Sequence, residues 1–84
     1  MNLQTTARFA KEYDRLPQRL QHRVDKALGL LLDNPRHPSL QIKKIKGHET
    51  RWEGRVTLHY RFVFSVEGDT YLLLPVGTHD LLKR

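Results

Sequence analysis

Residues 51–66, RWEGRVTLHYRFVFSV, limit the possible folds of this chain more than any other stretch. The even positions are Trp52, Gly54, Val56, Leu58, Tyr60, Phe62, Phe64 and Val66. The odd positions begin Arg51, Glu53, Arg55, Thr57, His59 and Arg61. Successive strand side chains point to opposite faces, so this alternation predicts a strand with one nearly apolar face. A sheet buried on one side explains that face. Solubility explains some charge on the other, but not arginines and a histidine gathered so closely, and function is sought there. The stretch is either one long strand or two joined near residues 57–61.

A chain of 84 residues forms one domain, 1–84. At this size it buries only about 60–65% of its extended surface, which leaves no room for a second domain or a deep cleft. There is no cysteine, hence no disulfide framework and no thiolate zinc site, which suits a reducing cytoplasm. The opening MNLQTTARFAKEYD carries early charge and no long apolar run, so it does not read as a signal peptide. No later segment reads as a membrane span. The net charge of +6 points to a polyanion or an acidic protein partner. The plainer alternative is a basic surface with no specific partner.

The order of elements follows from periodicity and breakers. Residues 3–6 are ambiguous and suit a short edge strand. Thr5 or Thr6 can cap a helix through its hydroxyl. Phe9, Tyr13 and Leu16 lie at helical spacing, and Leu16-Pro17 breaks the run. Pro17 fits the first turn of a second helix, where its missing N–H is not needed. Leu20, Val24, Ala27, Leu28, Leu31 and Leu32 form that helix's apolar stripe, and Asp33-Asn34-Pro35 ends it. Residues 36–40 read as a loop. Residues 41–47, QIKKIKG, suit an edge strand with lysines outward, a common defence against unwanted pairing. Glu67-Gly68-Asp69 signals a turn, and TYLLLPV a closing strand. The expected class is α+β: two N-terminal helices forming a hairpin, packed on one face of a small antiparallel sheet of three to four strands.

Several segments together resemble the RelE/ParE superfamily, the toxic half of bacterial type II toxin–antitoxin modules. They are FAKEYDRLP leading into a leucine-bearing helix, DNPRHPSLQIKKIKG, WEGRV, HYRFVF and VGTHD, and they span nearly the whole chain. The GTH ending is similar to the YafQ branch. The resemblance implies a sheet packed on two helices with a concave basic surface. It also implies metal-independent cleavage of mRNA, commonly on the ribosome, by attack of a ribose 2′-oxygen on the adjacent phosphate. A cognate antitoxin is the implied partner, in a toxin–antitoxin hetero-oligomer, and no cofactor is implied. ParE-type relatives instead inhibit DNA gyrase, so a gyrase inhibitor and a degenerate RNA- or antitoxin-binding module stand as alternatives.

Cleavage of this kind needs a proton acceptor for the 2′-hydroxyl, a stabiliser of the phosphorane and a proton donor for the leaving 5′-oxygen. His79 is the first choice for acid or base, since an imidazole titrates near neutral pH and His79 matches the family's GTH histidine. The plain alternative is a surface histidine bound to Asp80 or to backbone. Arg61 stands where the family carries a phosphate-binding arginine; a guanidinium grips phosphate oxygens in pairs. Otherwise Arg61 is an exposed strand residue or pairs with Glu53 or Glu67. Arg55 stands where relatives often carry a basic catalytic residue. Glu53 is either a base or a neutraliser of Arg55 or Arg61. Arg51, Glu53, His59, Lys43, Lys44 and Lys46 are the expected substrate contacts, the lysines through backbone phosphates or, more plainly, as the solvated edge of a strand. His22, His37 and His48 read as surface residues and make no metal-ligand cluster. Trp52, Tyr60 and Phe62 read as core by parity rather than as base-stacking groups. Many nuclease members carry an aromatic residue four positions beyond the terminal histidine; here that position is Lys83.

Overall fold

A computed structural model describes residues 1–82, so Lys83 and its departure from the family pattern lie outside the described residues. The elements are β1 (Asn2–Thr5), α1 (Ala7–Asp14), α2 (Gln18–Asp33), a 3₁₀ turn (Pro38–Leu40), β2 (Lys43–Lys44), β3 (Arg51–Arg55), β4 (Tyr60–Glu67), β5 (Thr70–Thr78) and α3 (His79–Leu82). The strands form a single sheet in the order β1-β5-β4-β3-β2. β2, β3, β4 and β5 pair antiparallel in succession, and β1 runs parallel to β5. The α+β class and the helical pair are as expected. The sheet, however, has five strands and is mixed, because the ambiguous opening residues pair along the free edge of β5. Among the described residues no helix is long and apolar enough to cross a membrane.

The alternating stretch is two strands, not one. β3 stops at Arg55 and β4 starts at Tyr60, with the register Trp52↔Phe64, Glu53↔Val63, Gly54↔Phe62 and Arg55↔Arg61. Trp52, Gly54, Phe62 and Phe64 therefore share the helix-side face, as parity predicts. Two even residues leave it. Leu58 falls in the connecting loop and is 64% exposed, and Val66 near the end of β4 is 41% exposed. The loop interrupts the alternation for the first, and the second lies beyond the cover of the helices.

The core is the contact between that face and the helices. α1 contributes Phe9, α2 contributes Val24, Ala27 and Leu31, and the sheet contributes Phe62, Phe64, Leu73 and Val76, all buried. Phe62 stacks on Phe64 with ring centroids 5.7 Å apart, and Phe64 meets Tyr71 edge to face at 5.5 Å. Leu40 from the 3₁₀ turn is also buried, so the segment read as a plain loop closes one end of the core. Leu32 is 43% exposed, which narrows the expected stripe of α2 to the residues that meet the sheet.

Polar contacts fix how the helices sit. Thr6 caps α1, its Oγ1 accepting from Phe9 N at 3.2 Å while its hydroxyl donates to the Leu73 carbonyl at 2.9 Å. Between Leu73 and Val76 the β4–β5 register slips, with two residues of β5, Leu74 and Pro75, set against one of β4, Val63. Pro75 lies in this bulge, where a missing backbone donor is tolerated. The Val76 N–H beside it donates to Glu12 Oε1 at 3.2 Å. The hairpin is clasped twice: Tyr13 OH donates to Asp25 Oδ1 at 2.7 Å, and Gln21 Nε2 donates to the Tyr13 carbonyl at 2.9 Å.

Candidate active site

The register that sends the even residues of β3 and β4 to the core sends Glu53 and Arg61 to the opposite face. β2 adds Lys43, which pairs directly with Glu53 across the ladder. β5 ends at Thr78 and turns at once into α3, so His79 enters this face from the far side. Its backbone N–H donates to the His59 carbonyl at 2.8 Å, which ties the start of α3 to the β3–β4 loop.

These residues converge on one carboxylate oxygen. Glu53 Oε1 lies 3.4 Å from Lys43 Nζ, 3.9 Å from His79 Nε2 and 4.0 Å from Arg61 Nε. The Glu53 and Arg61 side chains are each only 13% exposed. Glu53 Oε1 itself is buried with no hydrogen-bond partner among the described residues. At 3.9 and 4.0 Å the histidine and arginine are Coulombic neighbours and not hydrogen-bond donors to it. A buried acceptor in this state ordinarily costs stability, unless a ligand or a shift of its neighbours completes it.

Arg61 also organises the loop. Its Nη1 donates to the Thr57 carbonyl, and to those of Leu58 and Tyr60 at 3.1 and 3.0 Å. Thr57 Oγ1 in turn accepts from the backbone of His59 and Tyr60 at 3.3 and 3.2 Å. With Nη1 shared among carbonyls and Nε facing Glu53, Nη2 makes no hydrogen bond among the described residues.

Around Glu53 opens a cleft of about 530 Å³. Glu53 and Val63 line its centre, residues 43–46 with His48 one side, and His79 with Leu82 the other. Of the residues singled out in the sequence, His79, Glu53, Lys43, Lys44 and Lys46 therefore line one cleft, and Arg61 reaches its carboxylate. Lys44 also stands 5.9 Å from the Trp52 ring centroid, a cation–π contact that holds its stem to the strand. Arg51 is exposed at the start of β3 and makes no side-chain hydrogen bond or ion pair among the described residues.

Two singled-out residues are directed elsewhere. Arg55 faces Arg61 in the ladder, yet it lines hollows beside α2 together with Arg23 and Ser39 and makes no ion pair with Glu53. His59 lines a hollow with Arg19 and Tyr60, and among the described residues its link to His79 is the hydrogen bond to its backbone carbonyl. Two contributors were not visible in the sequence reading. His48 is exposed, as expected of a surface residue, and also lines the cleft. Thr57, an odd-face residue with no assigned role, orders the loop. A threonine before a turn is the only local signal for that role. Among the described residues no three His, Cys, Asp or Glu side chains gather as a metal site would require.

Comparison with solved structures places this architecture. A YoeB/ParE toxin from Agrobacterium tumefaciens superposes with a TM-score of 0.80 at 21% identity, covering 94% of this chain and 99% of that one. YafQ from E. coli strain BL21(DE3) gives 0.81 at 13% identity, covering 96% of each chain. A chain of the RelB–RelE antitoxin–toxin complex from Methanococcus jannaschii gives 0.76 at 22% identity, covering 94% of this chain and 93% of that one. No family model and no curated protein matches the sequence. The chain thus has the fold of the RelE/ParE-type toxins, as the sequence resemblance implies.

Proposed function

We propose that this protein is the toxin of a type II toxin–antitoxin module and that it cleaves mRNA at the Glu53–His79 cleft, without a metal, on the ribosome. The observation that supports this reading most is the convergence of His79, Arg61 and Lys43 on the buried Glu53 oxygen, which accepts no hydrogen bond among the described residues. RNA brings its own nucleophile, so the protein needs only to move two protons and hold one phosphate. In the proposed reaction the 2′-oxygen attacks the adjacent phosphorus and its proton passes to Glu53. Arg61 Nη2 and Lys43 meet the extra negative charge of the phosphorane. The bond to the 5′-oxygen breaks, and His79 supplies the proton to that oxygen. The products are a 2′,3′-cyclic phosphate and a 5′-hydroxyl end. Arg55, directed toward α2, has no part in this step.

The partner in this reading is an antitoxin with an acidic segment, suited to a chain of net charge +6. Structures of similar fold include the E. coli DinJ–YafQ toxin–antitoxin complex. The test is induced expression together with RNA mapping. Wild type should arrest growth and yield mRNA fragments with 5′-hydroxyl ends. His79→Ala and Glu53→Gln should each lower cleavage by about 10²–10⁴-fold, the range of a lost general acid or base. If wild type and His79→Ala arrest growth equally and neither produces such ends, the nuclease reading fails. Inhibition of DNA supercoiling by the purified protein would then select the gyrase alternative.

A further inference from the structure

A second basic surface lies on the other side of the β3–β4 loop. Three adjoining hollows run along the flank of α2, and Arg23 lines all three. Arg19, Lys26 and Arg55 complete the fixed positive charge. Arg19, Arg23 and Lys26 lie at i, i+4 and i+7, one helix face, over a rise of about 10 Å. No described aspartate or glutamate lines any of the three hollows, and none of the four cations makes an ion pair among the described residues. The nearby acid of α2, Asp25, is turned to α1 and engaged by Tyr13. Four like charges converge here without a counter-charge, at an electrostatic cost that a bound polyanion would relieve. The cleft differs, since Glu53 offsets its cations.

We infer that this trench is a second nucleic-acid site, which grips the phosphate backbone of a single-stranded RNA segment outside the cleft. The inference rests on the reading of RNA as substrate. The continuity of the two surfaces favours RNA over an acidic protein: the loop that borders the trench through Thr57, Leu58 and His59 also holds Arg61 and His79 by its carbonyls. A strand leaving the cleft past this loop meets Arg55 and then Arg23. Hydroxyl and imidazole groups of Ser39, His37 and His59 line the same hollows and suit phosphate and ribose oxygens.

The experiment measures binding of a 2′-O-methyl RNA 20-mer, which cannot be cleaved by 2′-oxygen attack, across a salt series. Arg19→Gln, Arg23→Gln and Lys26→Gln are combined in one protein; all three residues are exposed and glutamine keeps the helix. A control combines Lys11→Gln, Arg15→Gln and Arg36→Gln, which removes the same charge from outside the trench. The trench variant should bind about tenfold or more weakly near 50 mM salt, and its log–log salt slope should shrink by about 2, from three contacts of about 0.7 each. The control should change both far less. Equal losses in the two triples, or none in the trench triple, overturn the inference. So does a trench triple that loses binding to poly-glutamate while retaining the 20-mer. Cleavage by the wild type is scored separately. Loss of 20-mer binding in the trench triple with no wild-type cleavage would remove the nuclease reading and leave the trench. Intact cleavage with unchanged 20-mer binding would do the reverse.

Discussion

Gly54 shows how tightly single residues on the two faces of β3 are coupled. A Cβ built on Gly54 would lie 2.4 Å from Phe62 Cζ and 2.5 Å from Cε1. Phe62 is fully buried and stacked on Phe64, so its ring has no free volume into which to retreat. The glycine is needed for this close approach and not for a special backbone angle. Gly54→Ala should therefore destabilise the domain by about 1–3 kcal/mol, the usual cost of overpacking, read as a lower urea midpoint with an unchanged slope. Its neighbour Glu53 faces the cleft, so a displaced β3 would also move the carboxylate away from His79. Parity alone separates these two residues into core and site. The contact between Gly54 and Phe62 is not written in either residue, because it depends on the pairing partner that the register selects.

The helical hairpin illustrates the same limit for elements. Periodicity and Pro17 suffice to place α1 and α2, and Thr6 is one of the two caps that the sequence allows. The clasp between them has no local signal, since Tyr13 and Asp25 come together only when the helices fold back on each other. That hydrogen bond, with the negative charge of Asp25 and Asp14 nearby and some desolvation, raises the Tyr13 phenol above the ordinary tyrosine value. A group that binds its proton more tightly when folded contributes stability fully below its unfolded pKa and loses it as pH rises through the folded value. The contribution is therefore present at neutral pH and fades only above about pH 10. Ultraviolet titration should show Tyr13 ionising above the ordinary tyrosine value. Asp25→Asn should bring it back toward the ordinary value, with little change in stability at pH 7 because the pair is exposed. A titration unmoved by Asp25→Asn would mean that the clasp does not form in solution.

For the molecule as a whole, the helices, the three central strands and the separation of core from charged face were legible, because each follows from local periodicity. Both edge strands also lie where the sequence suggests them, at the opening residues and in QIKKIKG, but the assembly of the site was not legible. Lys43, Glu53, Arg61 and His79 come from four elements, and only the β2-β3-β4-β5 order brings them to one oxygen. Arg55 shares the parity of Glu53 yet lines the trench with Arg23 and Ser39. The opening residues were the least readable, for four residues carry too little pattern to declare a strand. Yet β1 closes the sheet: Leu3 pairs with Tyr71 and Thr5 with Leu73, and Asn2 N–H reaches the Asp69 carbonyl at 2.8 Å. Without β1, the edge of β5 would present unpaired backbone groups along Tyr71-Leu72-Leu73-Leu74, an invitation to pair with another chain. Deleting residues 2–5 should therefore lower the unfolding midpoint and promote self-association, seen as concentration-dependent light scattering. Adding Lys in place of Leu72, which lies on the cleft side opposite Ser65, should suppress that association without restoring the midpoint, because it blunts the edge but does not supply the missing strand. A truncated protein that stays monomeric with an unchanged midpoint would show that β1 is dispensable and that the four antiparallel strands β2 to β5 suffice.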